Sequence, residues 1–343
     1  MFRSSVSGFR RDANKVVGVF AFATVFALKL EGEHGRKRQC TQLEAQRNSP
    51  ENKNLPAPIP PIRILRPNPN LEIAYDTRTR NPIYVMEKLA SNASTGKGGR
   101  KRPRFYEEPL IEQIYRSRQS HYKYSGYDRG HLAAAANYSD PEELHHTFSL
   151  ANVSPQDHRL NIGLWNILEH WVRKVARRHN NQNENVYVVT GPLWLPSRQT
   201  GEQEFQFSHR AMGIPPQLVS IPTHFFKVVV VADDVANTIN QCACFVIPNA
   251  DIDAKKYDLL DFCVSIVDLE IVSGLIFFDG YKEDWKSMAH AVTVTLPNYK
   301  GPLLLTDGKG NALLPVAPKK VQKIARQSSL QHLCRDGSCE RRR

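Results

Sequence analysis

Apolar and polar positions along the chain fall into stretches of different period. From Asn161 to His179, Leu164, Trp165, Leu168, Trp171, Val172 and Val175 recur three and four residues apart, which predicts an amphipathic helix with one face on a core. Arg173, Lys174, Arg177 and Arg178 lie toward its end, where the helix dipole favours cations. Strands are predicted at Leu71 to Tyr75 and Ile83 to Leu89, joined as an early hairpin through the turn-like Asp76 to Pro82. Three more follow at Asn185 to Thr190, His224 to Ala232 and Cys242 to Ile247. Val272 to Phe278 adds an apolar segment, and Val292 to Leu305 reads as a hairpin. Strands mixed with a few helices predict an α+β architecture, and no internal repeat is present.

The ends differ in character. Arg3, Arg10, Arg11 and Lys15 precede the apolar run Val16 to Leu28, a run shorter than the roughly 20 residues needed to span a bilayer. Residues 1–30 therefore read as a targeting segment or a short membrane anchor. The arginines and serines favour a mitochondrial presequence, and the compact apolar block favours a secretory signal. Residues 31–70 are polar and then rich in proline, as in an extended linker. The folded domain is expected over 71–280, with a partly disordered extension over 281–343. Ser91 to Arg104 holds five basic residues without apolar period, a loop facing solvent or phosphate.

A chain of 343 residues with 41% apolar residues is long enough for one large core. Its net charge of +12 favours polyanionic partners such as nucleic acid or an anionic membrane, although basic termini inflate it. Six cysteines do not form a disulfide scaffold or a paired zinc spacing. Cys242 and Cys244 alternate within a strand and should share a sheet face as small hydrophobes. Cys334 and Cys339 could close a small loop in an oxidising compartment, and two free thiols is the simpler reading.

Tyr127 to Asn137 carries the candidate chemistry: Asp128, Arg129, Gly130 and His131 precede a run of small residues. Histidine can accept a proton near neutral pH. This Asp-Arg-Gly-His run resembles the motif of the DNA/RNA non-specific endonucleases. The likeness continues through Asn152 to Gln156, Leu160-Asn161, Trp165-Asn166 and Leu168-Glu169, with Asn161 thirty and Glu169 thirty-eight positions after His131. Further matches at Val186 to Leu193, Pro222 to Val228, Pro248 to Ala250 and Ser273 to Leu275 are similar to its endonuclease G branch, with the mitochondrial exo/endonucleases as nearest rival.

The resemblance implies a ββα-metal nuclease fold with a mixed, mainly antiparallel central sheet flanked by helices. It also implies Mg²⁺, with Mn²⁺ possible, DNA and RNA as substrates, a homodimer and a mitochondrial address. His131 would be the general base and Asn161 the single direct metal ligand. In an unbroken helix Glu169 returns to the face of Asn161 about 12 Å along the axis, which assigns it to metal-bound water. Asp128 and Asn152 would shape the site, and Asn161 could also be the helix N-cap. Arg104, or Arg102 or Arg100 in its place, would neutralise the phosphate, and Arg129 would serve structure or substrate. His145, His146, His158 and His224 read as structural. Ile162, where the family usually has a polar residue, bears on substrate preference and rate. The alternative is a nucleic-acid-binding paralogue of the same fold with little or no turnover. Association with the inner membrane would pass through the N-terminal apolar segment.

Overall fold

The computed structural model describes residues 58–89, 103–179, 184–196, 198–201, 204–281, 285–293, 296 and 331–334. The targeting segment, most of the linker and most of the basic loop lie outside them. Among the described residues no helix is long and apolar enough to cross a membrane.

The expected early hairpin is present: β2 (Leu71–Asp76) pairs antiparallel with β3 (Asn81–Leu89). It is preceded by a strand inside the stretch read as linker, β1 (Ile62–Asn68), which pairs antiparallel with β2. Pro67 masked this strand in the sequence. It sits at the sheet edge, where the register slips between Leu65 and Asn68, and edges and bulges tolerate the missing N–H.

The remaining long strands are β6 (Asn185–Leu193), β9 (His224–Asp233) and β10 (Thr238–Pro248). Three short antiparallel ladders stand apart from the main sheet: β4 (Asp128–His131) with β5 (Val153–Gln156), β7 (Ala211–Ile214) with β8 (Gln217–Ser220), and a two-residue pairing of Arg198–Gln199 with Phe205–Gln206. A last strand, β11 (Gln331–His332), adds parallel to β10. The main sheet has the order β1-β2-β3-β6-β9-β10-β11 and is antiparallel except at this final pair.

Alternation along β9 decides which side chains meet which layer. Phe225, Val229 and Val231 face a core with Trp165, Leu168, Trp171 and Val172 of the predicted helix. Phe226, Val228 and Val230 face a second core with Ile266, Leu269, Phe277 and Trp285. The sheet is thus covered on both faces. Cys242 and Cys244 share the second face, with their sulfurs 3.7 Å apart. Gly191 is required where β6 crosses β9, because a Cβ there would lie 2.4 Å from the Ile83 carbonyl oxygen and 2.5 Å from the Phe226 ring.

The longer helices among the described residues are α1 (Pro141–Thr147), α2 (Asn166–His179), α3 (Ile266–Ser273) and α4 (Trp285–Thr293). Three expectations change. Of the apolar segment Val272 to Phe278, only Val272 and Ser273 are helical, as the end of α3; Gly274 caps the helix in the left-handed region at φ 69°, and the residues after it are irregular. Val292 and Thr293 end α4, so the described start of the proposed hairpin is helix instead, with Ala289, Ala291 and Val292 buried. Cys334 is disulfide-bonded, not a free thiol. It is buried with Leu333 in the first core at the end of β11, which holds the sulfur in place, and Cys339 lies outside the described residues.

Candidate active site

The β4–β5 ladder and the helix after it form a compact ββα unit. In β4, Gly130 is paired with Ser154 and His131 with Val153. The Gln156 side chain lies over Gly130, where a Cβ would fall 2.3 Å from its Oε1 and 2.6 Å from its Cβ. The ladder is fastened to the main sheet by Ser154 Oγ, which donates to Asn81 Oδ1 at 2.6 Å. Asn249, just past β10, ties its exit: Nδ2 donates to the Pro155 and Pro222 carbonyls, and Oδ1 accepts from the Asp157 N–H.

The helix begins earlier than its apolar period indicates. Asp157 is the N-cap, accepting from the N–H groups of Arg159 and Leu160, the arrangement expected of an aspartate at that position. Asn161 has φ −57° and ψ −50°, so it is helical and is not the cap. A turn of π-helix runs from Asn161 to Trp165, broken at Gly163 with φ −100° and ψ −109°. The simple eight-residue spacing from Asn161 to Glu169 therefore does not describe their relation, since a glycine kink resets the helical phase.

At the head of the unit Asn161 Nδ2 donates to Asp128 Oδ2 at 2.8 Å, and His158 Nδ1 lies 2.9 Å from the same oxygen. His158, assigned to structure from sequence, is therefore a neighbour of the amide. At the other end of β4, His131 packs between rings: Phe105 at 5.0 Å and Phe148 at 4.9 Å between centroids. The Arg129 guanidinium lies over the other partner of this stack, 4.9 Å from the Phe105 centroid. Arg104 is exposed and adjoins Phe105 in the chain. Arg100 and Arg102 lie outside the described residues.

Asn152 is fully buried, and its side chain supports the backbone that follows His131. It accepts from the Ala133 N–H at 2.9 Å and donates to the carbonyls of Ala133 and Thr147 at 3.0 and 2.8 Å. Its own carbonyl accepts from the Leu132 N–H at 3.0 Å.

A buried charged cluster underlies the unit, and most of it escaped the sequence reading. Glu87, Thr190 and Lys227 occupy inward positions on three adjacent strands, where alternation calls for apolar side chains. Lys227 is only 2% exposed. Its Nζ donates to Thr190 Oγ1 at 2.6 Å and to the Leu132 carbonyl at 3.3 Å, and lies 5.0 Å from the Trp165 ring centroid. Glu87 Oε2 accepts from Asn137 Nδ2 at 2.9 Å and Tyr138 Oη at 3.1 Å. From α2, Glu169 and Arg173 complete the set.

Burial holds the Glu169 carboxyl up at about 7, against the pull of Lys227 and Arg173. Burial likewise raises Glu87, opposed first by Lys227, and lowers Lys227, opposed by Glu87 and Glu169. It also lowers Arg173, with Glu169 opposing. The cluster balances two cations against two carboxylates, as buried charge requires. Two signals were available in the sequence: the lone Lys227 inside Phe225 to Val231, and Arg173 four residues after Glu169, one helical turn away.

Residues 49–284 match the model of the DNA/RNA non-specific endonucleases. The chain belongs to the DNA/RNA non-specific endonuclease family. It is a hydrolytic nuclease, metal-dependent and endonuclease G-like. The chain is 36% identical over 220 residues to the Bos taurus protein named "Endonuclease G, mitochondrial", covering 64% of this chain and 70% of that one. It is 34% identical over 211 residues to the Homo sapiens protein named "Nuclease EXOG, mitochondrial", covering 61% and 55%. A solved structure titled "Crystal structure of the EndoG/EndoGI complex: Mechanism of EndoG inhibition" matches with a TM-score of 0.57 at 31% identity, over 66% of this chain and 88% of that one. These endonuclease relatives agree with the ββα-metal fold and with the mitochondrial address that the resemblance implied.

Proposed function

We propose that this endonuclease uses Mg²⁺, with Mn²⁺ able to replace it, to hydrolyse phosphodiester bonds in DNA and RNA with little regard to sequence. His131 is the general base: it takes the proton from the water that attacks phosphorus in line with the leaving 3′ oxygen. Its ring is braced by Phe105 and Phe148 and the backbone behind it by Asn152, so the base is carried on a rigid element.

The observation that carries the reading is the hydrogen bond from Asn161 Nδ2 to Asp128 Oδ2. It engages the amide nitrogen and leaves Oδ1 as the atom for a cation. The donors of the unit are amide and carboxylate oxygens, a set that fits a hard cation such as Mg²⁺. Asn161 would hold the ion, with Glu169 acting through its hydration shell. When bound, the ion supplies neutralisation of the charge developing on the phosphate and leaving oxygen.

Arg129 and Arg104 supply guanidinium groups toward substrate phosphates. Contacts to backbone phosphates carry no base information, hence the weak sequence preference. As part of this reading the enzyme works as a homodimer and is held at the inner membrane through its N-terminal apolar segment.

Full-length protein should nick supercoiled plasmid and degrade RNA with Mg²⁺, and EDTA should stop both. His131→Ala should lower cleavage at least about 100-fold, within the range that a general base supplies. Cleavage by this variant at the unmodified rate would refute the mechanism.

A further inference from the structure

The segment leading into β4 carries an aromatic residue that the fold does not use. Tyr124 has φ 60°, in the left-handed region where a Cβ costs roughly 1–2 kcal/mol and glycine is the usual occupant. Its side chain is 94% exposed. The loop is anchored on both sides: Tyr122 is buried with Leu150, Val153 and Val219, and Tyr127 packs on the same cluster. Ser125 Oγ donates to the Tyr122 carbonyl at 3.0 Å and accepts from the Tyr127 N–H at 3.1 Å. Lys123 and Tyr124 thus project from a fastened base.

The projecting pair is chemically matched. Lys123 Nζ lies 5.1 Å from the Tyr124 ring centroid, and Lys123 is exposed. Three residues on, the Arg210 guanidinium lies 5.8 Å from the Tyr127 ring centroid, and its Nη1 donates to the Tyr127 hydroxyl at 3.3 Å. The next residue is Asp128, bonded to the Asn161 amide. Rings alternating with cations therefore lead along the chain to the proposed ion-binding amide. A nucleotide offers the complement, since its base stacks on an exposed ring while its phosphate meets the neighbouring cation. An unpaired base can do so freely, whereas the bases inside a duplex are already stacked on one another.

We propose that Tyr124, with Lys123, is a stacking site for an unpaired nucleobase of the substrate strand and biases the enzyme toward single-stranded DNA and RNA. The identity of the ligand rests on the nuclease reading above. Tyr124 is a binding residue and takes no part in bond breaking.

The test measures equilibrium binding of the full-length protein in EDTA, by fluorescence anisotropy, to a labelled mixed-sequence single-stranded DNA and to the same sequence as a blunt duplex. Stacking on one aromatic residue is worth about five- to 150-fold in affinity. Tyr124→Gly should lose single-strand affinity by a factor in that range and change duplex affinity by less than about twofold. Tyr124→Phe, which keeps the ring, should bind like the unmodified protein. Glycine accepts the left-handed backbone, so Tyr124→Gly should melt no lower than the unmodified protein, which separates lost stacking from lost folding. The proposal is overturned if Tyr124→Gly binds single strands normally, if both affinities fall by the same factor, or if the unmodified protein does not bind single strands. A parallel reaction with Mg²⁺ reports on cleavage separately, so failure of the nuclease reading and failure of the stacking site give different results.

Discussion

Replacing Lys227 by methionine keeps most of the side-chain volume and removes a buried charge, so the change isolates electrostatics from packing. In the folded protein Lys227 donates to Thr190 and to the Leu132 carbonyl and opposes the buried carboxylates Glu87 and Glu169. Removing one member of a buried charged group costs roughly 3–5 kcal/mol, because the remaining charge is left uncompensated. Glu87 keeps its bonds from Asn137 and Tyr138 and can take up a proton. The cost should therefore lie near the lower end, about 3 kcal/mol.

The loss should also depend on pH, with a definite sign. Glu169 already has a folded-state value of about 7, above its ordinary 4.5. An acid raised in this way contributes stability that is full below about 4.5 and is lost as pH rises through its folded value. Without the Lys227 ammonium both carboxyls rise further, so Lys227→Met should be more destabilising at pH 8 than at pH 5. Urea unfolding followed by tryptophan fluorescence at the two pH values measures this. For a domain of this size the change corresponds to a fall of roughly 6–12 °C in Tm. A loss below about 1 kcal/mol, or one equal at both pH values, would show that the cluster is not electrostatically coupled.

Two further predictions concern neighbouring elements. Gly130→Ala brings a Cβ within 2.3 Å of Gln156 Oε1 and 2.6 Å of Gln156 Cβ. Moving the side chain end does not relieve the second contact, so overpacking should cost about 1–3 kcal/mol in urea unfolding and slow plasmid nicking as the ladder shifts; unchanged stability would contradict this packing. Burial lowers His224 from 6.5 to about 4, so its neutral form is the one that folding favours. Stability is then lost as pH falls from 6.5 toward 4, by up to about 1.4 kcal/mol per pH unit. His224→Phe should remove this part of the acid loss, and identical acid unfolding curves for the two proteins would exclude it.

Legibility in the sequence followed the strength of the local pattern. The β2–β3 hairpin and the cores of β6, β9 and β10 could be read because alternation and β-branched residues coincide there. The main part of α2 could be read because its apolar face repeats cleanly. Strand β1 was hidden by Pro67, whose penalty applies to central strands and not to an edge. The π-turn at Asn161 was hidden because Gly163 breaks helical phase without breaking the apolar period. In the site, the motif brought out His131, Asp128 and Asn161 at once. Glu87 and Lys227 escaped because their significance lies in cross-strand neighbours, which one strand read alone does not reveal.

The outer margin of β10 has its own consequence. Gln241 and Cys242 are matched by Gln331 and His332, and Phe245 bridges to Cys263. An exposed margin of this length would invite another chain to continue the hydrogen-bond ladder. Here Gln331, His332 and Cys263 take up part of that margin, which leaves less of it open to a strand from another chain. Cutting the chain before Gln331 would free the backbone groups of Gln241 and Cys242 and make that border more adhesive.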